Sequence, residues 1–136
     1  MKDNYQKLEK NQTGIACEFL VAGELARRGF NVTMTFGNTK AIDLLVEKNN
    51  KLIAIQVKGI QRKKSICWNI KKSSLQEKVI YVLVNLCADN MDSPPEYFVL
   101  TSEDLDKHLK TVDSGRDYID YNYVVNLKCK DKWVKI

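Results

Sequence analysis

The stretch Ala41–Gly59, AIDLLVEKNNKLIAIQVKG, decides how this chain is read. Apolar residues alternate with others on both sides of Asn49-Asn50, a dipeptide suited to a two-residue hairpin turn that needs positive φ. With those asparagines as the loop, Lys48 faces Lys51, Val46 faces Ile53, Leu44 faces Ile55 and Ile42 faces Val57. Beyond the lysine pair at the turn, that face is apolar. On the other face Leu45 meets Ala54, and Asp43 is expected opposite Gln56, at about 5 Å between Cβ atoms. Lys58 lies two residues beyond Gln56 and points the same way. A solvated face would be polar throughout, yet Ala41, Leu45 and Ala54 share this one. The three polar groups are therefore expected at the edge of a covered surface, beneath the first helix.

Burying an unpaired carboxylate is costly, so Asp43 calls for a cation. Lys58 would serve as a structural ion pair. A divalent metal would serve better, because Asp43, the Gln56 side-chain carbonyl and Glu18 are hard oxygen donors. A slip of one residue in register would scatter these groups to opposite faces.

Before the hairpin, NQTGIACEFLVAGELARRGF predicts a helix opened by Gln12 or Thr13 and closed at Gly29 behind Arg27 and Arg28. Ile15, Phe19, Ala22 and Ala26 form its expected buried stripe. Glu18 lies on the flank of that stripe and Glu24 opposite it. FNVTMTF (30–36) and ICWNI (66–70) read as strands. SSLQEK is expected to be a turn or short helix, with Ser74 and Glu77 at capping-box spacing. VIYVLVNL is apolar throughout, as a strand covered on both faces would be. EYFVL follows as a strand and TSEDLDKHLK as a capped helix in which His108 is expected to be solvated. Residues 111–136 read as irregular or edge structure. Trp68 reads mainly as a core or sheet-edge aromatic, with stacking on a splayed base as the alternative.

The 136 residues, 44% hydrophobic and 29% charged, fit a single domain whose core spans about residues 12–110. No apolar run approaches the roughly 20 residues that cross a bilayer, and MKDNYQKLEK lacks a signal peptide's apolar centre. The four cysteines contain no Cys-x-x-Cys pair, so a reducing cytoplasm is expected rather than a disulfide or zinc scaffold. One histidine leaves little room for His-based metal or triad chemistry. The net charge is +5, and KGIQRKKSICWNIKK, Lys58 to Lys72, holds six basic residues and no acid. A block of one sign suits a polyanion and points to nucleic acid.

A helix acid (Glu18 in GIACEFLVAGELARRGF), a strand aspartate (Asp43 in AIDLLV) and a lysine on the next strand (IQVKG) follow one another in this order. In these features the sequence resembles the PD-(D/E)XK nuclease superfamily, which includes Holliday-junction resolvases, from about Gly14 to Leu100. The resemblance implies an α/β fold of restriction-endonuclease type: an αβββαβ core with a central mixed sheet flanked by helices. It implies a metal-dependent endonuclease hydrolysing DNA phosphodiester bonds. Glu18, Asp43 and Gln56 would hold Mg²⁺ or Mn²⁺, and Lys58 would assist the attacking water or the transition state. Arg62, Lys63, Lys64, Lys71 and Lys72 would hold the DNA backbone, and cutting both strands would favour a homodimer. Two departures stand out. Ile42 precedes Asp43 where the pattern has proline, and Gln56 stands where it has an acid. The second leaves an alternative: a catalytically decayed module on the same fold that binds DNA or protein.

Overall fold

The computed structural model describes residues 5–35, 42–62 and 66–136. Helix α1 (Lys10–Arg27) is followed by β1 (Asn31–Met34), β2 (Leu44–Lys48), β3 (Lys51–Ile60), β4 (Cys67–Asn69), β5 (Val79–Asn85) and β6 (Glu96–Thr101). Then come α2 (Ser102–His108), β7 (Lys110–Thr111), β8 (Asp117–Asp120) and α3 (Tyr121–Asn126). Five strands form a mixed sheet in the order β1-β2-β3-β5-β6, in which β3 and β5 alone are parallel neighbours. A second sheet has the order β4-β8-β7. The chain is thus α/β, with a central mixed sheet and helices, as anticipated. In the described part of the crossover from β3 to β5, β4 and a 3₁₀ turn at Lys72–Ser74 stand where the αβββαβ pattern has a helix.

The hairpin has the anticipated register, from Lys48↔Lys51 to Leu44↔Ile55. Asn49 and Asn50 both adopt positive φ, 53° and 63°, the conformation a tight turn between twisted strands needs. The ladder stops at Leu44, however, so the expected pairs Asp43↔Gln56 and Ile42↔Val57 do not extend it. The Asp43 N–H donates to the Ile55 carbonyl at 2.9 Å, one residue short of Gln56. The Val57 N–H donates to the Asp43 carboxylate at 2.8 Å. This bulge-like step re-aims the Asp43 side chain at the end of the strand.

Helix α1 starts at Lys10, earlier than anticipated, with the Gln12 side chain accepting from the Glu9 N–H at 2.8 Å. It ends before Gly29, whose φ of 94° suits glycine. Its buried residues are Thr13, Cys17, Val21 and Leu25. The expected stripe is corrected: Ile15 and Phe19 are 54% and 55% exposed. The reason is where the helix crosses β3. Gly59 comes so close that an added Cβ would lie 2.3 Å from the Cys17 sulfur and 3.4 Å from Thr13 Cγ2, so only small side chains fit there.

Cys17, Val21 and Leu25 pack on Leu44, Val46, Ile53, Ile55 and Val57. The apolar face of the hairpin, not its mixed face, therefore lies under α1, which corrects the expectation. Ala54, on the mixed face, packs instead against a second cluster containing Trp68, Phe98, Leu105, Ile119 and Val124. β5 runs between the two clusters and is buried at every residue, as its unbroken apolar sequence predicted. Trp68 is a core residue, donating from Nε1 to the Val84 carbonyl at 3.2 Å and meeting Phe98 edge-on. It offers no platform for a base.

Residues 111–136 are not irregular. Ile119, Val124 and Cys129 complete the second cluster, and Trp133 belongs to the first. His108 is half-buried rather than solvated, because α3 brings the Tyr123 hydroxyl within 2.8 Å of its Nδ1. The Thr101 hydroxyl caps α2 through the Asp104 N–H. Ser74 and Glu77 form no capped helix, since the 3₁₀ turn ends at Ser74. Phe36, Ala41, Lys63 and Lys64 lie outside the described residues.

Candidate active site

Three elements converge where β2 begins. α1 presents Glu18 beside its buried face, the step before β2 presents Asp43, and β3 presents Gln56 and Lys58. All four line one cleft with a cavity volume of about 1240 Å³. Glu18 reaches it from the α1 side of the sheet, and Gln56 and Lys58 from the opposite side. The cleft therefore wraps round the end of β2 rather than lying on one face. The departure of Asp43 from the ladder is what allows this, because its carboxylate both accepts from Val57 N–H and contacts Glu18.

Electrostatics sets Glu18 apart. Burial, then the neighbouring Asp43 carboxylate and its hydrogen bond, push the Glu18 carboxyl up to about 7. Two carboxyl groups in contact cannot both be charged cheaply unless a proton or a cation lies between them. The other acid of the helix behaves differently: Glu24 is held by Arg27 at 2.5 Å and Arg28 at 2.8 Å, and those bonds pull its carboxyl below the usual range. Among the described residues no ion pair holds Lys58.

Glu18, Asp43 and Gln56 line the cleft with oxygen-bearing side chains, a chemistry that suits a hard divalent cation. Among the described residues no group of three or more His, Cys, Asp or Glu is placed to hold a metal ion, and at this cleft Gln56 supplies an amide in place of a third carboxylate.

The basic residues divide. Arg62 lines the cleft, where its guanidinium lies over the Tyr5 ring at 4.7 Å and faces Asp89 at 3.7 Å. Lys71 and Lys72 are exposed but do not line the cleft, and Lys72 lies 4.0 Å from Asp106. Tyr5, Lys7, Lys10 and Gln61, which the sequence did not single out, also line the cleft. The only signal for them was two lysines ahead of the helix, in a segment without periodicity.

The solved structure of a bacterial homing endonuclease has the same fold, with a TM-score of 0.69 over 95% of this chain and 91% of that one, at 10% identity. No curated protein sequence matches the chain. Among the described residues no helix is long and apolar enough to cross a membrane. A family model described as PD-(D/E)XK endonuclease matches residues 8–134, spanning every element from α1 to α3. Nucleases of that family generally use divalent metals. By this match the chain belongs to the PD-(D/E)XK endonuclease family.

Proposed function

We propose that the protein is an endonuclease that hydrolyses DNA phosphodiester bonds with a divalent cation, Mg²⁺ or Mn²⁺. The observation that carries this reading is the convergence of Glu18, Asp43, Gln56 and Lys58 on one cleft, with the two carboxyl groups in contact. Glu18, Asp43 and Gln56 would hold the cation, which when bound polarises the scissile phosphate and lowers the pKa of a water. Asp43 is oriented for this by the Val57 N–H, which fixes one carboxylate oxygen and leaves the other for a ligand. Lys58 would orient the attacking water or offset charge growing on the phosphate oxygens. Arg62 would position the DNA backbone without reading sequence, and Lys71 and Lys72 would touch it only beyond the cleft. A two-fold dimer would bring two such clefts to the two strands of a duplex.

One observation favours a second reading, a module that keeps the fold without the chemistry. Gln56 lowers the charge of the donor set from three to two and so weakens its hold on a cation. A cleavage assay on plasmid, branched and single-stranded DNA with Mg²⁺ or Mn²⁺ separates the two. The parent is expected to cleave. Asp43→Asn should lose roughly 100-fold or more in rate, the effect of removing one group that stabilises the transition state, while binding DNA as well or better. Near-parental cleavage by Asp43→Asn would remove the site from consideration. A silent parent that gains cleavage as Gln56→Glu would establish the second reading.

A further inference from the structure

Residues 5–9 form a strap that runs into Lys10, the first residue of α1, and one side chain ties it down. The Gln61 Nε2 donates to the Leu8 carbonyl at 2.9 Å, and its Oε1 accepts from the Leu8 N–H at 2.9 Å. The Tyr5 hydroxyl bonds to the same oxygen. By satisfying both backbone groups of Leu8, the amide reproduces a pair of ladder hydrogen bonds. The strap is thereby held like an added strand. Gln61 directly follows β3, the strand that carries Gln56 and Lys58, so the strap's position is keyed to theirs. Arg62 over the Tyr5 ring adds a second tie.

This anchoring contributes little to the core, since Tyr5 and Leu8 are only half-buried and the intervening residues are exposed. What it achieves is a wall. Tyr5, Lys7 and Lys10 line the same cleft as Asp43 and Lys58. Among the described residues Lys7 and Lys10 have no ion-pair partner. Glu9 is the one acid among residues 5–10, so their net charge remains positive.

We infer that the strap, with Lys10 where it joins α1, is a second phosphate-binding wall, on which Lys7 and Lys10 contact the DNA backbone and Gln61 is the positioning residue that holds them there. The inference rests on the nuclease reading of the cleft and extends it to residues outside the acid-lysine set. Ammonium groups lining the cleft together with Lys58 would hold a backbone in register with the reacting phosphate, as backbone contacts do generally.

The test compares the parent with Lys7→Ala/Lys10→Ala, Gln61→Ala and the triple variant, measuring duplex affinity against salt and the kinetics of cleavage. Each phosphate contact contributes about 0.9 to the slope of log K against log salt on duplex DNA, so the double lysine variant should lose close to two such increments. Its KM should rise about 10-fold, with kcat within about twofold, since the lysines bind rather than react. Gln61→Ala should shift KM the same way, and the triple variant should fall well short of the summed effects, because removing the clamp and removing the charges break one contact. An unchanged salt slope and KM in the lysine variant of a cleaving parent overturns the strap alone. Fully additive effects overturn the role of Gln61. A parent that neither binds nor cleaves DNA overturns the nuclease reading, and the strap with it.

Discussion

Glu18 shows how a single side chain reports on its site. Its ordinary value is 4.5, and burial and Asp43 raise it to about 7 in the folded chain. Between those two values the folded protein holds a proton that the unfolded chain has released, so stability falls as pH rises through this window. Glu18→Gln removes that loss. In metal-free buffer, the urea midpoint of the variant should gain on the parent's from about pH 4.5 to about pH 7 and then keep a constant lead. Adding Mg²⁺ above pH 7 should raise the parent's midpoint and leave the variant's nearly unchanged, because a ligand stabilises only the state that binds it. Parallel pH curves for the two proteins would mean that Glu18 feels no neighbouring carboxylate. The orientations of Gln56 and Lys58 were legible from strand alternation alone. That of Asp43 was not, since its side chain is set by a hydrogen bond to Val57 that only the end of the ladder makes available.

Helix α1 carries two apolar stripes, and periodicity cannot say which one turns inward. Ile15, Phe19, Ala22 and Ala26 make one of them. Thr13, Cys17, Val21 and Leu25 are buried instead. The approach of Gly59 decides the choice, because the bulk of a Phe19 could not enter the space that Cys17 and Thr13 fill. The consequence is measurable. Leu25→Ala, at a fully buried position, should cost about 2–5 kcal/mol. Phe19→Ala should cost less than about 1 kcal/mol despite deleting more atoms, as exposed substitutions do. Chemical denaturation of both variants checks this, and a reversed order would contradict the face assigned to α1. The same choice carries Glu18 to the cleft, since it adjoins Cys17 on the buried side. The strands were easier to read: β2, β3 and β5 lie where alternation or unbroken apolar sequence put them.

The molecule closes through its last 25 or so residues, for which local sequence offered no clear pattern. β8 pairs with β4 on one side and β7 on the other, and Trp133 returns to the cluster under α1, packing on Tyr97 at 5.5 Å. Trp133→Ala should therefore destabilise the whole chain by about 3–5 kcal/mol. It should do so in one cooperative transition, read as a lower urea midpoint with an unchanged slope. Loss of the C-terminal structure in a separate, earlier transition would show that it is an appendage. The hairpin register from Lys48 to Leu44, the turn at Asn49-Asn50, the buried β5 and the shared face of Gln56 and Lys58 were determined by the sequence itself, because each depends on neighbours within a few residues. Which face of α1 is buried, where β2 begins, what covers the mixed face and how the strap reaches Gln61 were decided by the tertiary structure alone. Those depend on contacts beyond the reach of local periodicity, from Asp43 with Val57 to Cys17 with Gly59 and Leu8 with Gln61.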